Sequence, residues 1–252
     1  MNYLTEKLIS KLLFYPESEI KTKPEDYNIH KYENIYINTK GKNKLHGWLI
    51  PGDSDKYVIY LHGTKGNIGT YLKGIKKLTE LNVNVLVADY QGFGKSRGEA
   101  LISNSIEDSI LMYDFLVSDK KINPKNINLW GYSYGGAITP EIASIYDVNS
   151  IVLECTFSSL HTISNEKYPL IAGLFVPKNI LNTKETLKKT KSKVLISYAE
   201  HDETIPASHS FALYDHAPKE KHLFKIENAR HDNICDHVTE EYNELIKKVI
   251  FY

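Results

Sequence analysis

The sequence predicts an α/β protein: one domain over residues 1–252, built on a mostly parallel sheet of about eight strands with helices on both faces. Three observations predict it. Short apolar runs recur along the chain, and most are continuous rather than alternating, as in strands buried on both faces. From residue 57 onward these runs alternate with helical patterns, the order of successive βαβ units. Glycine and polar residues gather where strands give way to helices, and sheets of this kind place their sites at the carboxyl ends of the strands. The 252 residues, 42% of them hydrophobic, suffice for one sizeable core.

The elements follow in order. The opening segment MNYLTEKLISKLLFYPE is amphipathic, with Leu4, Leu8, Ile9, Leu12 and Leu13 clustered to one side. Glu6, Lys7 and Lys11 interrupt it, so it lacks the core of a secretory signal and falls short of the ~20 apolar residues of a membrane span. Its expected place is packed on the domain. The alternative is a peripheral position on a membrane. Segments 34–38 and 45–50, joined by a turn at Gly41, read as a hairpin. Strands are expected at 57–61, 83–88, 127–130, 150–153, 193–198 and 222–226. Helices are expected up to 81, then over 105–118, 134–146, 208–215 and 240–251. Between 153 and 193 the alternation stops, and residues 157–191 read as an insertion.

Composition excludes several classes. Lys and Arg number 31 and Asp and Glu 31, so the chain is neutral and has no basic block to attract nucleic acid. Arg97 and Arg230 are its only arginines, leaving few residues for bidentate phosphate recognition. Cys155 and Cys235 stand in no CxxC pattern and near no paired histidine, which argues against a disulfide scaffold or a zinc site. A reduced, cytoplasmic setting is expected, with no metal and no organic cofactor.

The chemistry lies at the strand ends. HGTKGN (62–67) follows the third strand and DYQGFGKS (89–96) the fourth. GYSYGG (131–136) sets Ser133 between glycines where a strand turns into a helix. AEHD (199–202) and NARHD (228–232) follow the last two strands. A serine, an acid and a histidine thus share one sheet edge in the order this kind of sheet uses for a catalytic triad. A serine hydroxyl needs a base to take its proton. Imidazole suits that task, and a carboxylate on its other nitrogen fixes the tautomer. The glycines leave room for a tight turn, and the helix start supplies N–H donors. For the acid, Asp202 competes with Glu200, Glu203 and Asp232. For the base, His231 competes with His201 and His237.

These motifs resemble the α/β-hydrolase superfamily along nearly the whole chain. HGTKGN is similar to its HGN-type oxyanion loop, DYQGFGKSRG (89–98) to its DYRGYGxSxG loop, and GYSYGG to its nucleophile elbow. Within the superfamily they most resemble small hydrolases that include eukaryotic protein depalmitoylases and many bacterial proteins. The resemblance implies Ser133 as nucleophile, Asp202 as acid and His231 as base, with the backbone N–H groups of Thr64 and Tyr134 as oxyanion hole. The depalmitoylases carry an N-terminal cysteine cluster. Residues 1–30 here contain no cysteine, so their protein substrates are not carried over.

The remaining residues have more modest expected roles. His62 is expected to hydrogen-bond within its loop, Asp89 and Ser96 to shape theirs, and Cys155 to fill space. Tyr132 and Tyr134 either line the pocket or pack the elbow. In this fold an insertion at 157–191 is the cap. Its apolar run 170–176, bounded by Pro169 and Pro177, contains Leu174 and Phe175. These are expected either to wall an acyl pocket or to pack on the domain. The reading is a serine hydrolase for carboxylic esters or thioesters of short to medium acyl chains, acting on small or lipid-like substrates. An amidase or small peptidase with the same triad, or a non-catalytic binding protein, is the alternative.

Overall fold

The computed structural model describes residues 2–169 and 175–252. The chain divides into two compact units, Met1–Ile127 and Asn128–Tyr252.

In the first unit, β1 (Glu33–Asn38) and β2 (Lys44–Ile50) form the expected antiparallel hairpin, in register from Glu33↔Leu49 to Asn38↔Lys44. β2 runs antiparallel to β4 (Asn84–Ala88), and β4 runs parallel to β3 (Tyr57–Leu61). Burial explains the sequence patterns. β1 covers only one face and alternates, whereas every residue of β4 is buried. Helix α2 (Leu72–Thr79) buries Leu72, Ile75 and Leu78, an i, i+3, i+6 stripe. Helix α3 (Ile102–Asp114) continues through a π turn to Asp119.

Helix α1 (Tyr3–Leu13) corrects an expectation. Its apolar side does not pack as a whole on the domain. Ile9 and Ser10 are buried, and Phe14 just beyond meets Phe93 edge-on, but Leu4, Leu8 and Leu12 are exposed. The inward side is fixed by polar demand. Helix α3 opens at Leu101, which offers no side-chain cap, so its first N–H groups need acceptors from elsewhere. Glu6 Oε1 accepts from the Ser103 N–H (2.7 Å) and Ser10 Oγ from the Ile102 N–H (3.2 Å). With Glu6 and Ser10 turned inward, the leucines four residues apart are left facing out.

In the second unit, β5 (Ile127–Tyr132), β6 (Ser150–Glu154), β7 (Lys193–Ala199) and β8 (Lys221–Ile226) lie side by side in that order, all parallel. Tyr132, Glu154 and Ser197 form one row across three strands. Helices α4 (Tyr134–Ala143), α5 (Leu160–Lys167), α6 (Thr183–Leu187), α7 (Ala207–His216) and α8 (Glu240–Phe251) connect and flank them. Nine of the ten positions of α4 are buried. Each unit contributes four strands of the main sheet, whose described antiparallel pairings are confined to β1, β2 and β4; with the surrounding helices this is the architecture the sequence predicts. Helices α5 and α6 occupy the insertion at 157–191. Of its apolar run, residues 170–174, Leu174 among them, lie outside the described residues. Phe175 is exposed and Val176 is buried.

Candidate active site

Ser133 stands one residue beyond β5 and just before α4, at φ 55° and ψ −117°. A non-glycine residue in that region carries roughly 1–3 kcal/mol of strain and persists only where its surroundings over-determine it. Here they do. The Ser133 N–H donates to the Glu154 carbonyl (2.8 Å), while its own carbonyl accepts from the Gly136 N–H (3.1 Å) and the Thr156 hydroxyl (3.2 Å). Gly131 and Gly136 permit this crossing. A Cβ on Gly131 would overlap the backbone of Gly136, and one on Gly136 would overlap the Thr156 side chain.

Asp202 and His231 come from the loops after β7 and β8, at the same carboxyl edge as Ser133. These loops are tied together: the Glu200 N–H donates to the Ile226 carbonyl (3.0 Å) and the His201 N–H to the Ala229 carbonyl (2.8 Å). The Asn233 side chain then accepts from the Arg230 N–H and turns the chain at His231. His231 ends up between the other two, with Nε2 3.0 Å from Ser133 Oγ and Nδ1 2.8 Å from Asp202 Oδ2. Asp202 Oδ1 accepts the N–H groups of Thr204 and Ile205, both at 2.8 Å. Burial works to raise the Asp202 carboxyl, but the hydrogen bond and charge of His231 and the two N–H donors outweigh it. The group is held below the usual carboxylate value. An ionised Asp202 puts the imidazole proton on Nδ1 and leaves Nε2 as the acceptor facing the serine hydroxyl, the arrangement a general base needs.

Three of the rivals are engaged elsewhere. Glu200 binds Lys225 (2.9 Å) and the Asn228 N–H (2.9 Å). The His201 side chain is 60% exposed and lies near Glu200. His237 Nε2 meets the Asn233 amide at 3.3 Å. Tyr132 donates its hydroxyl to the His231 carbonyl and packs against the imidazole ring, so it braces the histidine. Tyr134 is buried, and its N–H belongs to the first turn of α4.

Sequence reasoning missed Glu154 and Thr156, and gave Cys155 only a space-filling role. Cys155 holds a left-handed conformation (φ 48°), and its sulfur, an Asp202 oxygen and a His231 nitrogen all lie within 4.8 Å of one another. These are the side chains of the site that could hold a metal ion. Burial, then the neighbouring Asp202 and Glu154, push the thiol well up, and Asp202 and His231 are already bonded to each other, so metal binding would have to displace two protons. Glu154 lies under the elbow and is buried, with Trp130 Nε1 3.4 Å from Oε2 and the Tyr242 hydroxyl 3.3 Å from Oε1. Burial raises its carboxyl to about 7. Thr156 locks the Ser133 carbonyl, as described. None of the three belongs to a motif. Their places follow from the β5–β6 register.

A second serine–histidine–acid chain sits nearby. Ser158 Oγ lies 2.9 Å from His209 Nδ1, and His209 Nε2 lies 3.0 Å from Glu166 Oε2. Here Nδ1 also accepts the Ser158 N–H (3.1 Å), and Ser158 is buried. This chain therefore ties the loop after β6 and helix α5 to α7, and presents no accessible hydroxyl.

In the first unit, Thr64 lies in the loop after β3. The Thr64 carbonyl accepts the Tyr15 N–H (2.8 Å), and the pair Tyr15–Pro16 runs parallel to Lys65–Gly66. His62 Nδ1 donates to the Gly63 carbonyl (2.8 Å), and Asp89 Oδ1 accepts the Ile68 N–H (2.8 Å). Ser96 Oγ donates to the Asp89 carbonyl (2.7 Å). His62, Asp89 and Ser96 are thus the loop-shaping groups the sequence suggests. Burial pushes His62 down to about 4 and Asp89 up to about 8.

Comparison with known proteins agrees with this architecture. The chain is 27% identical over 252 residues to the uncharacterised protein YfhR of Escherichia coli, covering 96% of this chain and 87% of that protein. It superposes on the Pyrococcus furiosus esterase Pf2001 with a TM-score of 0.78 at 19% identity, covering 94% of this chain and 97% of that one. It also superposes on Est1E of Butyrivibrio proteoclasticus, solved with ferulic acid bound, with a TM-score of 0.71 at 19% identity, covering 86% and 100%. At those identities the likeness shows the fold. The family profile described as serine aminopeptidase, S33 (Hydrolase_4) matches residues 52–181, just over half of the chain and inclusive of the Ser133 elbow. The chain therefore belongs to that family of α/β hydrolases.

Proposed function

We propose that this α/β hydrolase is a serine hydrolase that cleaves carboxylic esters or thioesters of short to medium acyl chains, with the two units acting as one hydrolase domain under a cap at 157–191. The observation that carries the reading is the hydrogen-bonded line from Ser133 Oγ through His231 to Asp202. As Ser133 Oγ attacks the acyl carbon, its proton passes to His231 Nε2, and Asp202 stabilises the imidazolium. The Thr64 and Tyr134 N–H groups receive the oxyanion. The imidazolium then gives its proton to the leaving alkoxide or thiolate. A water, deprotonated in turn by His231, releases the acid from the acyl-enzyme and regenerates Ser133. No step calls on a metal or an organic cofactor. Leu174 and Phe175 are the proposed wall for the acyl chain, and Tyr132 supports the histidine.

The family description favours a second reading, an aminopeptidase using the same triad. One panel separates the two: p-nitrophenyl esters and acyl thioesters of graded length against aminoacyl p-nitroanilides, with Ser133→Ala as control. Turnover of short and medium esters, lost in Ser133→Ala, is expected. Turnover confined to the anilides would replace the ester reading with the peptidase one. No turnover of any member would point to a binding protein on this fold.

A further inference from the structure

Five of the large apolar or aromatic side chains that stand exposed among the described residues fall within one short stretch: Tyr3, Leu4, Leu8, Leu12 and Tyr15, each between 51 and 76% exposed. Leu4, Leu8 and Leu12 are spaced i, i+4, i+8 and form one stripe along α1. Tyr3 and Tyr15 stand at its two ends.

The stripe cannot turn inward. Glu6 and Ser10, on the opposite side of the helix, are bonded to the start of α3. Phe14 is buried against Phe93, and Lys7 and the Tyr3 hydroxyl are both bonded to Glu99 (2.6 and 2.7 Å). Glu6 is the only acid of α1 and faces the protein, so the charges beside the leucines are Lys7, which Glu99 balances, and Lys11.

A stable interface with another protein takes about 20–30 residues on each side. This stripe has three. Three exposed leucines with an outward lysine beside them instead match a helix that lies in the plane of a lipid surface. We propose that α1 docks on an anionic phospholipid surface: Leu4, Leu8 and Leu12 enter the boundary between headgroups and acyl chains, and Lys11 meets lipid phosphate. Beyond the helix the chain runs directly along the loop after β3, through the Tyr15 N–H to the Thr64 carbonyl and the Glu17 N–H to the Gly66 carbonyl. A docked surface would therefore border that loop.

Docking is independent of the hydrolase reading, and the test keeps the two apart. Cosedimentation with vesicles of phosphatidylcholine and phosphatidylglycerol is measured for the full chain and for the triple variant Leu4→Ser/Leu8→Ser/Leu12→Ser. The exposed leucines together amount to about two fully buried ones, so binding should weaken at least ~30-fold. The thermal transition should not fall, because the leucines are exposed in the fold. Lys11→Glu should weaken binding several-fold on these vesicles and leave binding to pure phosphatidylcholine unchanged. Ser133→Ala should bind as wild type does. If Ser133→Ala binds vesicles while every variant and the wild type lack esterase activity, the hydrolase reading fails and docking stands. Docking is overturned if wild type does not cosediment, if the triple variant binds equally well, or if wild type is a dimer in solution that the triple variant converts to monomer.

Discussion

Replacing Asp202 by asparagine should stop turnover without unfolding the protein, and the geometry shows why. Asp202 Oδ1 accepts two backbone N–H groups, from Thr204 and Ile205, so only an oxygen fits there. In Asp202→Asn the new amide nitrogen must then take the place of Oδ2, 2.8 Å from His231 Nδ1. An amide nitrogen can only donate, so Nδ1 must become the acceptor and the ring proton moves to Nε2. Nε2 then donates to Ser133 Oγ and can no longer take its proton. In a serine protease the equivalent change lowers kcat about 10⁴-fold, which corresponds to about 5.5 kcal/mol of barrier. The same magnitude is expected here. The assay is the kcat for a short p-nitrophenyl ester, with the thermal transition followed in parallel. The transition should move little, since both backbone bonds to the side chain survive. Turnover within tenfold of wild type would mean that this carboxylate does not set the tautomer of His231. Intact turnover in Asp202→Asn alongside loss in Glu200→Gln or Asp232→Asn would move the acid to one of those residues.

Three further outcomes follow from the same geometry. Gly136→Ala should lower stability by about 2–3 kcal/mol and abolish turnover, because its Cβ would drive Thr156 away from the Ser133 carbonyl; thermal denaturation and kcat test this together. Glu154 has its carboxyl raised from 4.5 to about 7 by burial, so the folded state holds its proton more tightly than the unfolded chain does. Its contribution is therefore greatest below pH 4.5 and is lost as pH rises through 7. Urea titrations should show Glu154→Gln gaining on wild type by about 3 kcal/mol across that window, and parallel curves would rule the buried acid out. Phe175 is about half exposed, so Phe175→Ala should leave the thermal transition unchanged; the same variant should shift the acyl-length optimum of kcat/KM if the side chain lines the pocket.

Much of this can be read from residue order. Ser133 is legible because glycines on both sides of a serine, between an apolar strand and a helix, have few other uses. A parallel sheet returns every loop to the same edge, so AEHD and NARHD are legible as neighbours of the elbow, but the choice of Asp202 and His231 among their rivals rests on the resemblance to the α/β hydrolases. What the sequence does not show depends on register and on neighbours far away in the chain. Glu154 lies beside Tyr132 only through the pairing of β5 with β6, and Cys155 reaches Asp202 only because that row continues into β7. The orientation of α1 is likewise hidden. Its leucines look like a packing face until the needs of α3 for Glu6 and Ser10 decide which side turns inward.

Whether Ser133 is a nucleophile activated by His231 can be measured by a fluorophosphonate reaction on the intact protein, with the modified residue located by peptide mass spectrometry. A single adduct is expected, on Ser133. It should be absent from Ser133→Ala and at least ~10³-fold slower to form in His231→Ala and Asp202→Asn. No adduct, an adduct on another residue, or labelling of Ser133 at an unchanged rate in His231→Ala would contradict that assignment.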